Sequence, residues 1–127
     1  MHSFINENNK YAVIGVSKNP EKYGHKVFKD LIGAGWDVYP VNPNETEILG
    51  HKVFPKVSEI NDKIDVVIFV VPPKVTLDVL KEIKEIGINN VWLQPGSESL
   101  EAIQYCKDNA INCIHDACIM IERKQNG

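Results

Sequence analysis

Short apolar runs alternate with longer amphipathic stretches along the chain. Five of the short runs are rich in β-branched and aromatic residues, as strands are. They are YAVIGV (11–16), WDVYPV (36–41), DVVIFVV (65–71), NVWLQ (90–94) and NCIHD (112–116). The third run is almost continuously apolar, which is typical of a strand covered on both faces. The pattern therefore predicts five strands in a mainly parallel sheet.

The stretches between these runs predict helices. Two apolar stripes have helical spacing, and each ends at a glycine that suits a left-handed C-cap. They are Val27, Leu31 and Ala34 before Gly35, and Val75, Val79, Ile83 and Ile86 before Gly87. Pro73 suits the first turn of the second helix. A third helix is predicted over 98–109 with Ser97 as its N-cap, and residues 50–60 predict an extended piece followed by one or two helical turns.

Strand–helix alternation at this spacing predicts right-handed β-α-β units. The expected fold is α/β, a single Rossmann-like domain whose five-stranded, mainly parallel sheet has the order 3-2-1-4-5 and helices on both faces. We expect residues 10–122 to form this domain, 1–9 an N-terminal extension and 123–127 a C-terminal tail. Such sheets bind ligands at the carboxyl ends of their strands. The turns at 15–20, 40–45 and 71–74 are therefore expected to meet.

Composition and charge narrow the class of protein. The 127 residues fit one domain, and 43% hydrophobic with 24% charged residues is a globular balance. The formal net charge of −3 gives no general attraction to nucleic acid or anionic membranes. No apolar run approaches the roughly 20 residues that span a bilayer, and the polar N-terminus lacks the core of a signal peptide. We expect a soluble, cytoplasmic protein without nucleic-acid or membrane partners.

The reactive residue types form no recognisable catalytic or metal pattern. Cys106, Cys113 and Cys118 are odd in number and lack C-x-x-C spacing, so reduced thiols are expected rather than disulfides. The sequence shows no zinc-ligand spacing, no paired catalytic carboxylates and no G-x-S-x-G segment. We therefore expect no metal and favour binding over catalysis.

The segment after the first apolar run predicts a site for phosphate. Gly15 lacks a Cβ and lets the backbone pass close to a ligand. Ser17 offers a hydroxyl and an amide, and Lys18 and Lys22 add positive charge near the N-terminus of the next helix, which suits anions. The same letters, taken alone, fit an ordinary strand-to-helix connection equally well.

The residues at the ends of the second and third apolar runs predict which group is bound beside the phosphate. An NAD-binding unit needs an acidic residue at the end of the second strand, and none occurs there before Glu45. Val41, Asn42 and Pro43 predict one rigid, partly apolar wall, and VVPPK (70–74) predicts another. Two such walls suit a flat group such as adenine, although each proline pair alone fits a simple strand terminator.

Six segments together resemble the small single-domain CoA-binding protein family, which is similar to the CoA-binding N-terminal domain of the succinyl-CoA synthetase α subunit. The segments are IGVSKNPEK (14–22), VYPVNP (38–43), ILGHKVFPKVSEI (48–60), DVVIFVVPP (65–73), VWLQPG (91–96) and HDACIM (115–120). They occur in the family's order and span about residues 10–122. The resemblance implies a Rossmann-like fold and a CoA or acyl-CoA ligand.

The resemblance also implies roles for individual residues. It assigns the diphosphate to Gly15, Val16 and Ser17, with Pro20 shaping the turn and Lys22 at a position where the family usually has arginine. It assigns the adenosine to Asn42 and Pro43 on one side and to Val71, Pro72 and Pro73 on the other, and the pantetheine arm to Gln94, Pro95 and Gly96.

One contact is missing from the pattern. A lysine helps to hold the 3′-phosphate in the synthetase domain, whereas NPNETE (42–47) has none. Lys18, Lys22, His25 or Lys26 would have to supply that contact, or the ligand lacks that phosphate.

Asp116 and Cys118 match an aspartate and a cysteine that the family usually has. A thiol there could form a mixed disulfide with CoA, or it could be a buried core residue. The synthetase's phosphorylated histidine belongs to a second domain, so its activity is not expected here. The predicted function is CoA or acyl-CoA binding without a catalytic site, as a sensor, carrier or subunit that needs a partner; self-association is left open. The alternative is a small NAD(P)-linked or CoA-thiol redox protein that uses Cys118.

Overall fold

The structure, a computed structural model, describes residues 4–126. Its main sheet contains β1 (Lys10–Ile14), β2 (Asp37–Val41), β5 (Val66–Phe69), β6 (Asn90–Leu93) and β7 (Asn112–Ile114). β3 (Glu47–Ile48) and β4 (His51–Lys52) form a separate antiparallel hairpin. The α-helices of the described part are α1 (Tyr23–Gly33), α2 (Pro73–Glu85), α3 (Leu100–Asp108) and α4 (Ile119–Asn126), and a 3-10 turn spans Val57–Glu59.

The predicted α/β fold with a five-stranded parallel sheet is confirmed, with one strand in a different place. The sheet has the order β2-β1-β5-β6-β7, and all its pairs are parallel. Counted over the five predicted strands, this order is 2-1-3-4-5 rather than 3-2-1-4-5. All four residues of β5 are buried, which suits a strand bonded on both edges. Asp65 accepts the Lys10 N–H at 2.8 Å and returns its own N–H to the Lys10 carbonyl, which fixes β5 beside β1.

The two faces of the sheet pack against different helices, because pleating sends successive side chains to opposite faces. The first face, under α2 and α3, buries Ala12, Val67, Leu93, Leu80 and Ala102. The second face, under α1 and α4, buries Val13, Ile68, Trp92, Phe28 and Ile119. Helices on both faces were predicted and are confirmed.

The predicted helix ends are partly confirmed. Gly35 and Gly87 follow α1 and α2 with φ of +84° and +83°, as left-handed caps do. The N-cap of α3, however, is Ser99, whose Oγ accepts the Ala102 N–H at 3.0 Å. Ser97 is buried and instead accepts the Val71 N–H at 3.0 Å. The prediction failed because the backbone of residues 96–98 still belongs to the turn after β6.

The core face of α2 also differs from the predicted stripe. Thr76, Leu80 and Ile83 are buried, whereas Val75 and Ile86 are 38% and 45% exposed. The stripe is therefore rotated by one position, and Val75 lies at the edge of the helix that faces the strand ends.

The polypeptide on either side of residues 10–122 packs onto the α1 face. Phe4 is buried, and its carbonyl accepts the Tyr11 hydroxyl at 2.6 Å. Arg123 lies in α4 and donates from Nε and from Nη2 to the two carboxylate oxygens of Asp30, both at 3.0 Å. None of the helices within residues 4–126 is long and apolar enough to cross a membrane.

Candidate ligand site at the carboxyl edge of the sheet

Three turns meet at the carboxyl edge of the sheet because β1 lies between β2 and β5. We call them turn 1 (15–22, after β1), turn 2 (42–46, after β2) and turn 3 (70–72, after β5). Gly15 N–H donates to the Val41 carbonyl at 3.0 Å, and Val70 N–H donates to the Ile14 carbonyl at 2.9 Å. The predicted convergence of these turns is confirmed.

Close packing of turn 1 against turn 3 requires a glycine at position 15. Its φ is +96°, and a Cβ at this position would lie 2.2 Å from the Val70 carbonyl oxygen and 2.7 Å from Cγ1 of Val71. The expected reason for this glycine was close approach of a phosphate. The structure gives a different reason, because the space a side chain would occupy is already filled by turn 3.

A second glycine, which the sequence analysis did not single out, fixes α1 against turn 1. A Cβ on Gly24 would lie 2.0 Å from the Gly15 carbonyl oxygen and 3.3 Å from the Cα of Val16. The start of α1 therefore touches the backbone of turn 1 directly. The sequence carries no local signal for this contact, because it depends on where α1 packs.

Side chains hold turn 1 in place from both sides. His25 is 7% exposed, and its Nδ1–H donates to the Ser17 carbonyl at 2.8 Å. Asn42 Nδ2 donates to the Val16 carbonyl at 2.7 Å. His25 Nδ1 and the Asn42 NH₂ group thus bind protein carbonyls, and the contacts of these two residues with a ligand stay predictions. Val16 is fully buried, backbone included.

The N-terminus of α1 has no side-chain cap. Lys22 occupies the N-cap and its side chain makes no hydrogen bond to the helix, so it leaves the first N–H groups uncapped. Ser17 Oγ accepts the Asn19 N–H at 3.1 Å, which leaves the hydroxyl proton free. Lys18 lies 3.6 Å from Glu45 of turn 2, and Pro20 and Lys22 are exposed.

A cavity of about 310 Å³ lies between turns 1, 2 and 3, and we call it the edge cavity. Its wall is mostly apolar. The apolar lining consists of Ile14, Val41, Pro43, Pro55, Val57, Val71, Val75 and Val79. Val41, Pro43 and Val71 were predicted to border a flat group, and the structure brings them together. Pro72 and Pro73 lie outside the lining, because they form the N-cap and first residue of α2.

The sequence did not predict that Val57, Val75 and Val79 line the edge cavity. Val57 reaches it because Phe54 pairs with Val41, so residues 55–57 continue alongside turn 2. Val75 and Val79 reach it because the helical stripe is rotated away from the core.

A larger groove of about 790 Å³ lies elsewhere, along the outer edge of β2. It is lined by Trp36, Tyr39, Leu49 and Phe54, among others. Among the residues that the structure describes, its lining shares none with that of the edge cavity. In parallel sheets ligands bind beyond the carboxyl ends of the strands, so the edge cavity is the better candidate.

Gln94 is fully buried at the end of β6 and is already bonded. Its Oε1 accepts the Ile119 N–H at 2.7 Å, and its Nε2 donates to Cys118 Sγ at 3.5 Å. These bonds fasten α4 to the sheet, and the contact of Gln94 with the pantetheine arm stays a prediction. Pro95 and Gly96 are exposed beside it.

Cys118 lies just before α4, half-buried, within 3.0 Å of the Tyr23 hydroxyl. Burial alone would raise the pKa of this thiol. Hydrogen bonds from Tyr23, from Gln94 and from two backbone N–H groups at the start of α4 outweigh burial, so the pKa is lowered. Burial and the bond to Cys118 raise the pKa of Tyr23 to about 12, so its hydroxyl stays protonated and is able to donate to a Cys118 thiolate.

The other candidate reactive groups are not joined to Cys118. His115 Nδ1 pairs with the neighbouring Asp116 at 2.7 Å, and Asp116 has a φ of +63°. The thiols of Cys106 and Cys113 are neighbours where α3 packs beside β7. All three cysteines are free. The His, Cys, Asp and Glu side chains of the described residues form no group that could hold a metal ion.

A family model described as a CoA binding domain matches residues 9–124. The chain belongs to the CoA-binding domain family. The match extends slightly beyond the span over which the six segments resemble it.

Two proteins of similar length match about nine tenths of this chain. An uncharacterized protein of Bacillus subtilis, YneT, is 32% identical over 117 residues, which are 92% of this chain and 87% of that protein. The solved structure of a conserved hypothetical protein from Pyrococcus furiosus has a TM-score of 0.87 and 46% identity, and the match covers 90% of this chain and 98% of that one.

The chain also matches one part of two larger enzymes. The α subunit of an ADP-forming acetate–CoA ligase II from Pyrococcus furiosus is 44% identical over 81 residues, 63% of this chain and 18% of the subunit. An acetyl-coenzyme A synthetase from Ca. Korarchaeum cryptofilum, solved with phosphate and ADP, has a TM-score of 0.76 at 30% identity, and the match covers 87% of this chain and 26% of that one. The chain therefore spans a fifth to a quarter of these ligases.

Proposed function

We propose that this protein binds CoA or acyl-CoA across the carboxyl edge of its sheet and carries no catalytic site for CoA ligation. The observation that carries the proposal is the joint occurrence of an uncapped helix N-terminus and an apolar cavity on neighbouring turns. In a member of the CoA-binding domain family, these two features suit the two ends of an ADP group. The role in the cell is then that of a sensor, a carrier or a subunit that acts with a partner chain.

The diphosphate is assigned to turn 1. The first N–H groups of α1 point out of the helix there, and the helix dipole favours negative charge at this end. The free hydroxyl proton of Ser17 adds one donor, and the exposed Lys22 adds a positive charge. The chain's net charge of −3 makes this local arrangement necessary.

The adenine ring is assigned to the edge cavity. Valine and proline side chains from β2, turns 2 and 3, residues 55–57 and α2 line the cavity, and a flat aromatic ring can pack against them. The mouth of the cavity reaches Gly15, so the base and the diphosphate can belong to one nucleotide. The pantetheine arm then runs over the ends of β5 and β6 toward Pro95 and Gly96.

Calorimetric titration under reducing conditions tests the proposal with four ligands: CoA, acetyl-CoA, NAD and ADP. The expected result is saturable binding of CoA and acetyl-CoA, weaker binding of ADP and no comparable binding of NAD. If the protein binds NAD in preference to CoA, the proposed ligand is wrong and the NAD(P)-linked alternative is favoured.

A Ser17→Ala variant is expected to weaken CoA binding about tenfold. The variant loses one hydrogen bond to a charged acceptor, and such bonds contribute roughly 1.5–3 kcal/mol; 1.4 kcal/mol is about tenfold in affinity. Calorimetry on the folded variant measures the change. Ser58→Ala is the matched control, because Ser58 is exposed beside the edge cavity but outside its lining. Equal affinities for wild type and Ser17→Ala would remove this hydroxyl from the site.

Cys118 supports a second candidate function, thiol–disulfide exchange with CoA disulfide. The Cys118 thiolate would attack one sulfur of the disulfide, form a protein–CoA disulfide and break the original S–S bond. The other CoA thiolate leaves with the electron pair and takes a proton from water. The specific observation in favour is the set of donors around this sulfur, which lowers its pKa.

The reaction of Cys118 with iodoacetamide is expected to rise with pH through a midpoint below that of an ordinary cysteine. A Tyr23→Phe variant loses one donor to the thiolate, so its midpoint should move to higher pH. Intact-mass measurement against a Cys118→Ser background separates this thiol from Cys106 and Cys113. If CoA disulfide modifies Cys118→Ser as readily as wild type, the exchange function is wrong.

A further inference from the structure

A phosphate on the ribose of CoA needs a cation near the end of β2. In Rossmann-like sheets, the residues that follow the second strand contact the ribose hydroxyls or a phosphate carried on them. Turn 2 of this protein carries Glu45 and no basic residue. Its own side chains would therefore repel the phosphate that distinguishes CoA from 3′-dephospho-CoA.

The basic residues of turn 1 and α1 are poorly suited to this contact. Lys18 is the one that reaches turn 2, and it is paired with Glu45 at 3.6 Å. His25 is buried and bonded to the Ser17 carbonyl. Lys26 lines a separate depression near Arg123 on the outer side of α1. Lys22 stands at the N-cap of α1, where the diphosphate is assigned.

Lys56 reaches the end of β2 from another segment. Phe54 N–H donates to the Pro40 carbonyl at 3.0 Å, and Asn42 N–H donates to the Phe54 carbonyl at 2.9 Å. The residues after Phe54 therefore continue beside turn 2. Lys56 lines the edge cavity together with Asn42 and Pro43.

The charge of Lys56 is available for a ligand. Lys56 is exposed, and its ammonium forms no ion pair or hydrogen bond with any residue in the described range 4–126. Glu82 lines the same cavity from α2, but its Oε2 accepts the Ser58 N–H at 3.1 Å and it makes no ion pair with Lys56. The lining of the edge cavity thus includes one cation, Lys56, without a partner in the described part of the chain, on the side of turn 2.

We propose that Lys56 binds the 3′-phosphate of CoA and makes this protein prefer CoA to 3′-dephospho-CoA. The inference rests on the proposed function, since it assumes that the nucleotide end of CoA occupies the edge cavity. It assigns to a residue beyond β4 a contact that was expected from turn 1 or from the start of α1.

Titration of wild type and Lys56→Gln with CoA and with 3′-dephospho-CoA tests the inference. Wild type should bind CoA about tenfold or more tightly than 3′-dephospho-CoA, because a charge-assisted contact is lost with the phosphate. Lys56→Gln should lose this preference through weaker CoA binding, with its 3′-dephospho-CoA affinity within twofold of wild type. Lys56→Arg should restore the preference, and added salt should reduce it.

Two further variants locate the effect. Lys74→Gln is the matched control, because Lys74 is exposed at the start of α2 and does not line the edge cavity. Lys18→Gln tests the competing cation of turn 1. Loss of the preference in Lys18→Gln with its retention in Lys56→Gln would overturn the inference and assign the phosphate to Lys18.

The remaining outcomes separate this inference from the proposed function. If wild type binds CoA and 3′-dephospho-CoA equally well, CoA binding stands and the role of Lys56 is wrong. If Lys56→Gln weakens both ligands equally, Lys56 does not recognise this phosphate. If wild type binds neither ligand, the proposed function fails, and the inference fails with it.

Discussion

A Gly24→Ala variant should be less stable than wild type by about 3 kcal/mol. The added methyl group would lie 2.0 Å from the Gly15 carbonyl oxygen and 2.9 Å from its carbon. Both are backbone atoms of turn 1, so relief requires α1 to move away from the sheet. Forced overpacking costs roughly 1–3 kcal/mol and more where nothing flexible can yield. Urea unfolding followed by circular dichroism measures the loss.

Gly33→Ala provides the matched control in the same helix. Gly33 is the last residue of α1, and a Cβ there would meet nothing within 4 Å. Alanine in a helix is favoured over glycine by about 0.5–1 kcal/mol, so this variant should be slightly more stable than wild type. Gly24→Ala should also weaken CoA binding, because turn 1 has to shift. If Gly24→Ala is as stable as wild type, α1 can move away from turn 1 without a loss in the free energy of unfolding.

A Gln94→Leu variant should lose about 2–3 kcal/mol of stability. Leucine fills nearly the same volume but leaves the buried Ile119 N–H without its acceptor, and an unsatisfied buried group costs roughly 1–3 kcal/mol. The variant also removes one donor to Cys118, so the pKa of that thiol should rise. Urea unfolding measures the first effect, and the pH profile of alkylation measures the second.

Gln104→Leu is the control for this change. Gln104 is exposed on α3, and its amide donates to the Asp108 carboxylate on the helix surface. Exposed pairs of this kind contribute a few tenths of a kcal/mol, so the control should stay within about 0.5 kcal/mol of wild type. Equal stabilities of the two variants would show that Gln94 does not fasten α4.

The strands and the edge at which they meet could be predicted because their signals are local. Apolar runs and capping glycines such as Gly35 and Gly87 report on nearby backbone only. The position of β5 in the sheet could not be predicted from local signals, because the observed and the predicted strand orders both allow right-handed connections. It depends on contacts with β1 across more than fifty residues, such as Asp65 with Lys10.

The candidate site could be predicted in outline and not in its internal bonds. Gln94 and Asn42 are polar residues at strand ends, which is where ligand contacts are expected, yet both bind the protein itself. Lys56 and Val57 lie in a segment whose course depends on the bridge between Phe54 and Val41. A sequence pattern indicates that a polar group stands at an edge, but its partner is fixed by the packing of distant segments.

The bonds that lock turn 1 have a further consequence for how a ligand is bound. His25 and Asn42 already hold two carbonyls of this turn, and Gly15 is wedged against turn 3. A preorganised site has little conformational entropy left to lose on binding. The affinity of this edge for a nucleotide therefore depends on the contacts that the ligand makes, with little of it offset by ordering of the protein.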